Sequence, residues 1–174
     1  RPGDSELGFI VPPGAILLTP GEVLASPFDL QMQATEVVRP LTPIVRFMTV
    51  VADRNGNPQG LFTLDYLARE LLQNVGQVAS GFAGQVLMVN SAGQYIRGPN
   101  ADSAWGWRLG HAQTFRREFP AQWQEIATRH NGILESDRGF FAYQRVNVGQ
   151  RLQAASARGV HGLLAGTDAS FLVL

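Results

Sequence analysis

Between Ile44 and Asn74 the chain reads as strand, turn, strand and helix with nothing in between. Ile44 to Ala52 is an apolar run rich in branched and aromatic residues, and Asp53 to Gly60 holds Asn-Gly and Pro. A second apolar run then ends at Asp65-Tyr66. Two such runs around a polar turn form an antiparallel hairpin. After Tyr66 the period changes, with Leu67, Glu70, Leu71 and Asn74 at helical spacing and Leu67, Leu71 and Leu72 on or near one face. The second strand therefore runs straight into a helix, and the chain belongs to the α+β class.

The flanking segments extend this pattern. Residues 1–20 hold four prolines, which excludes a continuous helix or central strand there and leaves short extended pieces at Gly8 to Val11 and Ala15 to Leu18. Glu22 to Ser26 reads as a strand, and Pro27 makes an edge or bend that presents Phe28-Asp29. Gln31 to Pro43 reads as an irregular connection. Gly76 to Gly84 is small, polar and glycine-containing, which places a domain junction there, between units at 1–75 and 76–174.

In the second unit Gln85 to Asn90 and Gln94 to Arg97 flank the turn Ser91-Ala92-Gly93, and Gly98-Pro99 stops the second strand. Pro120 opens a helix at Ala121 to Arg129 with Phe119, Trp123, Ile126 and Ala127 on one face, ended by Asn131-Gly132. Ile133 to Ser136 and Phe140 to Val146 form a hairpin around Asp137-Arg138-Gly139. Gln150 to Arg158 reads as a short helix within a glycine-containing tract, and Ser170 to Leu174 as a last strand.

The 174 residues are 45% hydrophobic, enough for a sizeable core, and carry 14 basic and 14 acidic side chains. Balanced charge gives no general attraction to nucleic acid or anionic lipid. The sequence contains no Lys and no Cys, so Schiff-base, P-loop-lysine, thiolate and disulfide chemistry are excluded. No run reaches the roughly 20 apolar residues of a membrane span. The first residue is Arg1, as expected of a processed product or an excised fragment whose anchors lie outside it.

Ile44 to Leu72 resembles the strand, turn, strand and helix block of Cache sensor domains, the extracytoplasmic PAS-like regions of bacterial histidine kinases, diguanylate cyclases and chemoreceptors. Gly21 to Leu30 resembles the strand that precedes that block. Val86 to Pro99, Trp105 to Leu109, Phe119 to Trp123 and Gly139 to Tyr143 look like successive pieces of the family's membrane-proximal module. The resemblance runs in the family's order from Gly21 to Val146. It implies two PAS-like modules with antiparallel sheets flanked by helices, the first a partial membrane-distal module of three strands. It further implies the periplasmic part of an inner-membrane protein, a small-molecule ligand, no cofactor, and a possible homodimer.

In amino-acid-binding members, an aromatic-x-Asp element and an Asp at the end of the strand before the helix hold the ligand's ammonium group. Phe28-Asp29, one residue shorter than the usual spacing, and Asp65 stand at those places. The family's Arg-x-Trp element has no counterpart before Gly21. In the second unit the period of two puts Tyr95 with Arg97, and Tyr143 with Arg145, on common faces. Under the Trp105-Gly-Trp107 loop, these would make an Arg fork with aromatic walls for a small carboxylate. The alternative is that the aromatic residues are core and the arginines reach out to solvent. Arg46, on an apolar strand, needs a carboxylate or carbonyl partner if buried.

Other chemistries fit poorly. Asp53, Asn55 and Asn57 mimic the start of a calcium loop, but Pro58 and Leu64 stand where Gly and the bidentate Glu belong, so a turn is expected. His111, His130 and His161 show no metal-ligand spacing, Ser80 has no nucleophile motif around it, and no phosphate-binding glycine loop is present. The expected function is therefore non-catalytic sensing of an amino acid, amine or small carboxylate. The rivals are a ligand-free interaction or dimerisation module, and a small hydrolase assembled from distant Asp, Glu and His residues.

Overall fold

The computed structural model describes residues 18–81, 84–147 and 169–173, with side chains for all of these except 78, 79, 147 and 169–173. The first sheet is built on the long hairpin. Strand β5 (Pro43–Ala52) pairs antiparallel along its length with β6 (Pro58–Leu67), and on its other edge with β1 (Val23–Ala25) and β2 (Asp29–Leu30). Its turn consumes the oxygens that mimic a calcium loop. Asp53 Oδ1 accepts from the backbone N–H of Asn55 at 2.8 Å and of Asn57 at 2.9 Å, and Oδ2 accepts from Asn57 Nδ2 at 3.0 Å. Those bonds, that from the Asn57 side chain first, hold the Asp53 carboxyl below its usual pKa.

Arg46 and Asp65 lie opposite each other in the hairpin register. Arg46 Nε donates to Oδ1 at 2.6 Å and Nη2 to Oδ2 at 2.8 Å, which gives the arginine the carboxylate partner its apolar strand demands. The sheet has two differently covered faces. Leu24 and Met48 pack with Leu18 on one, while Ala25, Val45, Phe28 and Leu30 face the second half of the chain.

The connection between β2 and β5 is more regular than its composition implies. It contains a two-stranded hairpin of β3 (Met32–Gln33) and β4 (Glu36–Val37), turned at Ala34 with φ of 54°. Helix α1 (Arg69–Ala79) also differs from the expected pattern. Leu67 still pairs with Ile44 in the sheet, so fully buried Ala68 sets the helical phase and brings Leu72 inward, leaving Leu67 and Leu71 exposed. The helix continues through Gly76, where the linker was expected to begin. A Cβ there would lie 3.1 Å from Nη1 of Arg97, so glycine permits the close approach.

The second sheet has five strands in the order β8-β7-β11-β10-β9, every neighbouring pair antiparallel. They are β7 (Leu87–Val89), β8 (Tyr95–Arg97), β9 (Asn131–Ser136), β10 (Gly139–Asn147) and β11 (Ala169–Val173). The last strand thus inserts between the first and fourth of this sheet. The helices α2 (Gly106–Leu109), α3 (Phe115–Glu118) and α4 (Pro120–Thr128) lie between β8 and β9 in the chain. Thr114 caps α3 by accepting from the Arg117 N–H, and Pro120 occupies the first turn of α4.

Trp123 and Ile126 are buried with Phe119 and Ala127 packed beside them, which is the face expected for α4. Its end differs from expectation. Arg129 is already extended and Asn131 begins β9, and Gly132 is needed because a Cβ there would lie 2.9 Å from the Tyr143 hydroxyl. The expected helix at 150–158 and the extended pieces before Leu18 fall outside the described residues. No described helix is long and apolar enough to cross a membrane.

Phe115 is completely buried and touches the rings of Tyr95, Phe119, Trp123 and Phe141 at centroid distances of 6.3, 5.0, 6.4 and 5.6 Å. Edge contacts of this kind add to the burial of a large side chain. Phe115→Ala is expected to lower unfolding stability by about 3–5 kcal/mol in urea titrations. Phe62→Ser, on a side chain 56% exposed, should change it by only about 0.5 kcal/mol.

Candidate functional site

A cavity of about 540 Å³ opens on the second sheet. Leu87 of β7, Tyr95 of β8 and Phe141 of β10 form its floor, and the α3–α4 corner and the β9–β10 turn close its sides with Glu118, Phe119 and Arg138. The corner arises because α3 is only four residues long. The chain leaves it at Phe119 with φ −133° and ψ 63°, and Pro120 then starts α4 in a new direction.

At this corner Glu118 meets Tyr95, whose hydroxyl donates to Oε2 at 3.2 Å. Burial pushes the Tyr95 pKa far up, the Glu118 charge and hydrogen bond push the same way, and Arg138 opposes them. The phenol therefore keeps its proton and acts as a donor. The other oxygen, Oε1, is buried and has no hydrogen-bond partner among the described residues. The Arg138 guanidinium lies over the Phe119 ring, 5.1 Å from its centroid. The cavity is thus lined by an acidic side chain, aromatic rings and an arginine, a combination suited to a small organic molecule.

Four of the residues singled out from sequence meet elsewhere. Phe28 and Trp105 are buried in the cluster that spans both sheets, and Trp107 packs on its edge, 5.3 Å from Trp105 between ring centroids. Asp29 accepts two hydrogen bonds from Arg108 of α2, with Nε 2.7 Å from Oδ1 and Nη2 on Oδ2, and it also takes the Leu30 N–H at 2.8 Å. That carboxylate ties β2 to the Trp loop. The bond to Asp29 also raises the Arg108 pKa above the usual arginine value, burial acting in the opposite direction. Asp65 is held by Arg46 in the hairpin.

Of the other two pairs, Tyr143 and Arg145 keep a common face, toward α4, while Tyr95 and Arg97 separate. A register irregularity between Met88 and Val89 sets Tyr95 opposite Val89 but Arg97 opposite Met88. Tyr95 therefore joins the cluster of Leu87 and Val89, whereas Arg97 turns toward α1 and donates from Nε to the Val86 carbonyl at 3.3 Å. The period of two that puts them on one face is broken by the bulge. Tyr143 is buried beside Trp123 and Ile126, and Arg145 donates from Nη2 to the Ala127 carbonyl at 2.9 Å in the last turn of α4. A cation at a helix C-terminus is favourably placed for the helix itself. Of the nine candidates, Tyr95 alone lines the cavity.

No family model matches the chain, and no curated protein matches it. Solved structures do. A domain of a sensory box/GGDEF family protein from Vibrio parahaemolyticus superposes with a TM-score of 0.66 at 18% identity, over 92% of this chain and 55% of that one. The periplasmic sensory domain of the Campylobacter jejuni chemoreceptor Tlp1 gives 0.57 at 12% identity, over 87% and 48%. The ligand-binding domain of the Pseudomonas aeruginosa amino-acid chemoreceptor PctC, in complex with GABA, gives 0.55 at 15% identity, over 88% and 56%. The chain has the fold of extracytoplasmic sensor domains. It spans about half the length of each of these three structures.

Within this sensor fold, Glu118, Phe119, Arg138 and Phe141 were not among the residues that sequence patterns picked out. Glu118 ends a helix too short to show a period, and Arg138 sits in a hairpin turn, where a charged residue carries no signal. Phe119 reads as part of the α4 face and Phe141 as part of a hairpin strand, neither as a cavity wall. Among the described residues no group of His, Asp or Glu could hold a metal ion.

The Tyr95 environment has a measurable consequence. A phenol whose pKa is raised in the folded state stabilises fully below the unfolded value of 10.0, and that stability is lost as pH rises beyond it. Unfolding stability should fall between pH 10 and 12, and Tyr95→Phe should flatten that fall while costing about 1 kcal/mol at pH 8 through the lost hydrogen bond. Urea titrations across this range check both.

Proposed function

We propose that the chain is the extracytoplasmic sensing region of a membrane-anchored signalling receptor, and that it binds a small organic molecule without transforming it. The observation that carries this reading is the aromatic-walled cavity with its inner carboxylate, set in a five-stranded sheet of sensor-domain topology. Structures of this fold, including one that holds GABA, support it. Two units, divided within 76–84, and an output domain outside this chain complete the proposal. Signalling then follows from differential binding: a ligand that favours one arrangement of sheet and helices shifts the population toward it.

In this reading Tyr95 touches the ligand. Phe28, Asp29, Trp105 and Trp107 form the joint between the two sheets, Asp65 holds the hairpin, and Arg97, Tyr143 and Arg145 hold the second sheet to α1 and α4. A thermal-shift screen of amino acids, amines, small carboxylates and purines tests the proposal. A ligand at about a hundred times its dissociation constant should add roughly 2.7 kcal/mol of stability. Tyr95→Phe should weaken the hit, while Asp53→Asn in the distant turn should leave it unchanged. A screen in which nothing raises the melting temperature would favour the interaction-module reading over sensing.

A further inference from the structure

We propose that the free edge of β6 is a self-association surface, to which a second copy of this chain adds its own β6 antiparallel about a two-fold axis at Leu64. Strand β6 pairs with β5 on one side and, among the described residues, with no strand on the other. The Ala68 N–H donates to the Pro43 carbonyl at 2.9 Å, so by alternation the even-numbered residues of β6 turn their backbone groups toward β5. Those of Leu61, Thr63, Asp65 and Leu67 therefore point away from the sheet. Such an edge is ordinarily blunted by charge, proline or a bulge within the strand. Here the one charged side chain of the strand, Asp65, is engaged by two hydrogen bonds from Arg46, and Pro58 stands at the far end. The register shift also lies beyond Gly60.

The side chains along this edge are apolar and uncovered. Phe62, Leu64, Tyr66 and Leu67 are each 51–59% exposed. Phe62, Leu64 and Tyr66 lie opposite Thr49, Phe47 and Val45, and so continue on one face the apolar surface that Val45 and Phe47 give to the core between the two sheets. Leu67 stands on the other face. A contiguous apolar surface left open in this way marks a site of protein association.

The order of the residues selects a second copy as the occupant. From 61 to 67 the strand reads Leu-Phe-Thr-Leu-Asp-Tyr-Leu, so that polar, aromatic and leucine positions follow one another in both directions from Leu64. Two-fold pairing there sets Leu64 against Leu64, Phe62 against Tyr66, Leu61 against Leu67 and Thr63 against Asp65, and the outward backbone groups of each copy meet those of the other. Apolar side chains meet apolar ones, aromatic pairs form on both sides of the axis, and a hydroxyl faces a carboxylate. Shifted axes lose this match: one at Asp65 sets two carboxylates face to face, and one at Thr63 sets Leu61 against Asp65. One strand per copy makes an interface at the small end of the specific range, below about 1,200 Å², so the dimer belongs to the weak, reversible class.

The test is sedimentation velocity of the whole chain up to about 100 μM, joined to cross-linking in variants of this cysteine-free sequence. A monomer–dimer equilibrium is expected. Leu64→Arg, at a side chain already exposed, sets two like charges on the axis and should weaken dimerisation by about tenfold or more, with the melting temperature of the dilute protein little changed. Under mild oxidation Leu64→Cys should form a disulfide-linked dimer about tenfold or more faster than Val51→Cys, because only the residue on the axis meets its copy within disulfide reach. A chain that stays monomeric over this range, a dimer indifferent to Leu64→Arg, or cross-linking no faster at Leu64 than at Val51 would overturn the assignment. So would a monomer in which the amides of Leu61, Thr63, Asp65 and Leu67 resist hydrogen exchange, which would give the edge to a segment of the same chain. The sensing reading is decided separately, since its cavity lies on the other sheet.

Discussion

Strand β7 is buried on both faces, and the arrangement of the molecule depends on it. Leu87 and Val89 point into the aromatic cluster around Phe115, while Met88 points into the cluster of Phe28, Val45 and Trp105. Three consecutive residues thus hold two cores together, and none of them is more than 8% exposed. An all-apolar strand of this kind is what a sheet covered on both sides requires. Once β7 is placed, the last strand, the neighbouring β8 and the Trp loop have positions left to fill rather than to choose, and the first sheet has an apolar surface to pack against.

That sharing of a core explains which parts of the fold were legible in the sequence. Apolar runs around turn residues identified β5, β6 and the β9–β10 hairpin, and helical spacing identified the α4 face, because each of these signals is local. Periodicity misplaced Arg97, where one extra residue in β8 reverses the facing of everything after it. It misplaced Leu71, because the start of α1 is set by the pairing of Leu67 with Ile44 rather than by the helix's own apolar residues. Asn131-Gly132 resembled a helix stop, yet glycine is used there to admit the Tyr143 ring. Local signals failed wherever a distant partner set the local requirement.

The candidate site was less legible than the fold for the same reason. Asp29 could be read as presented on a bend, but its partner Arg108 lies 79 residues further on. Arg46 could be read as needing a carboxylate, and the hairpin register supplies Asp65 directly across. Glu118 offered no pattern at all. What marks it is an environment made by three separate elements: a strand that brings Tyr95, a turn that brings Arg138, and a corner that turns its own side chain inward.

Tyr95 and Ile96 divide the two cores between them, the first facing the cavity's cluster and the second facing the cluster shared with the first sheet. The Tyr95 carbonyl also accepts the Trp105 N–H at 2.8 Å, and Trp105 caps the helix whose Arg108 grips Asp29. A short chain of packed and hydrogen-bonded groups therefore runs from the cavity floor to β2. Trp105 holds φ at 61°, a left-handed backbone that a bulky residue adopts only where surrounding contacts impose it. Tyr95 is packed in one core while Ile96 and Trp105 are packed in the other, so β8 and the Trp loop are held from both sides.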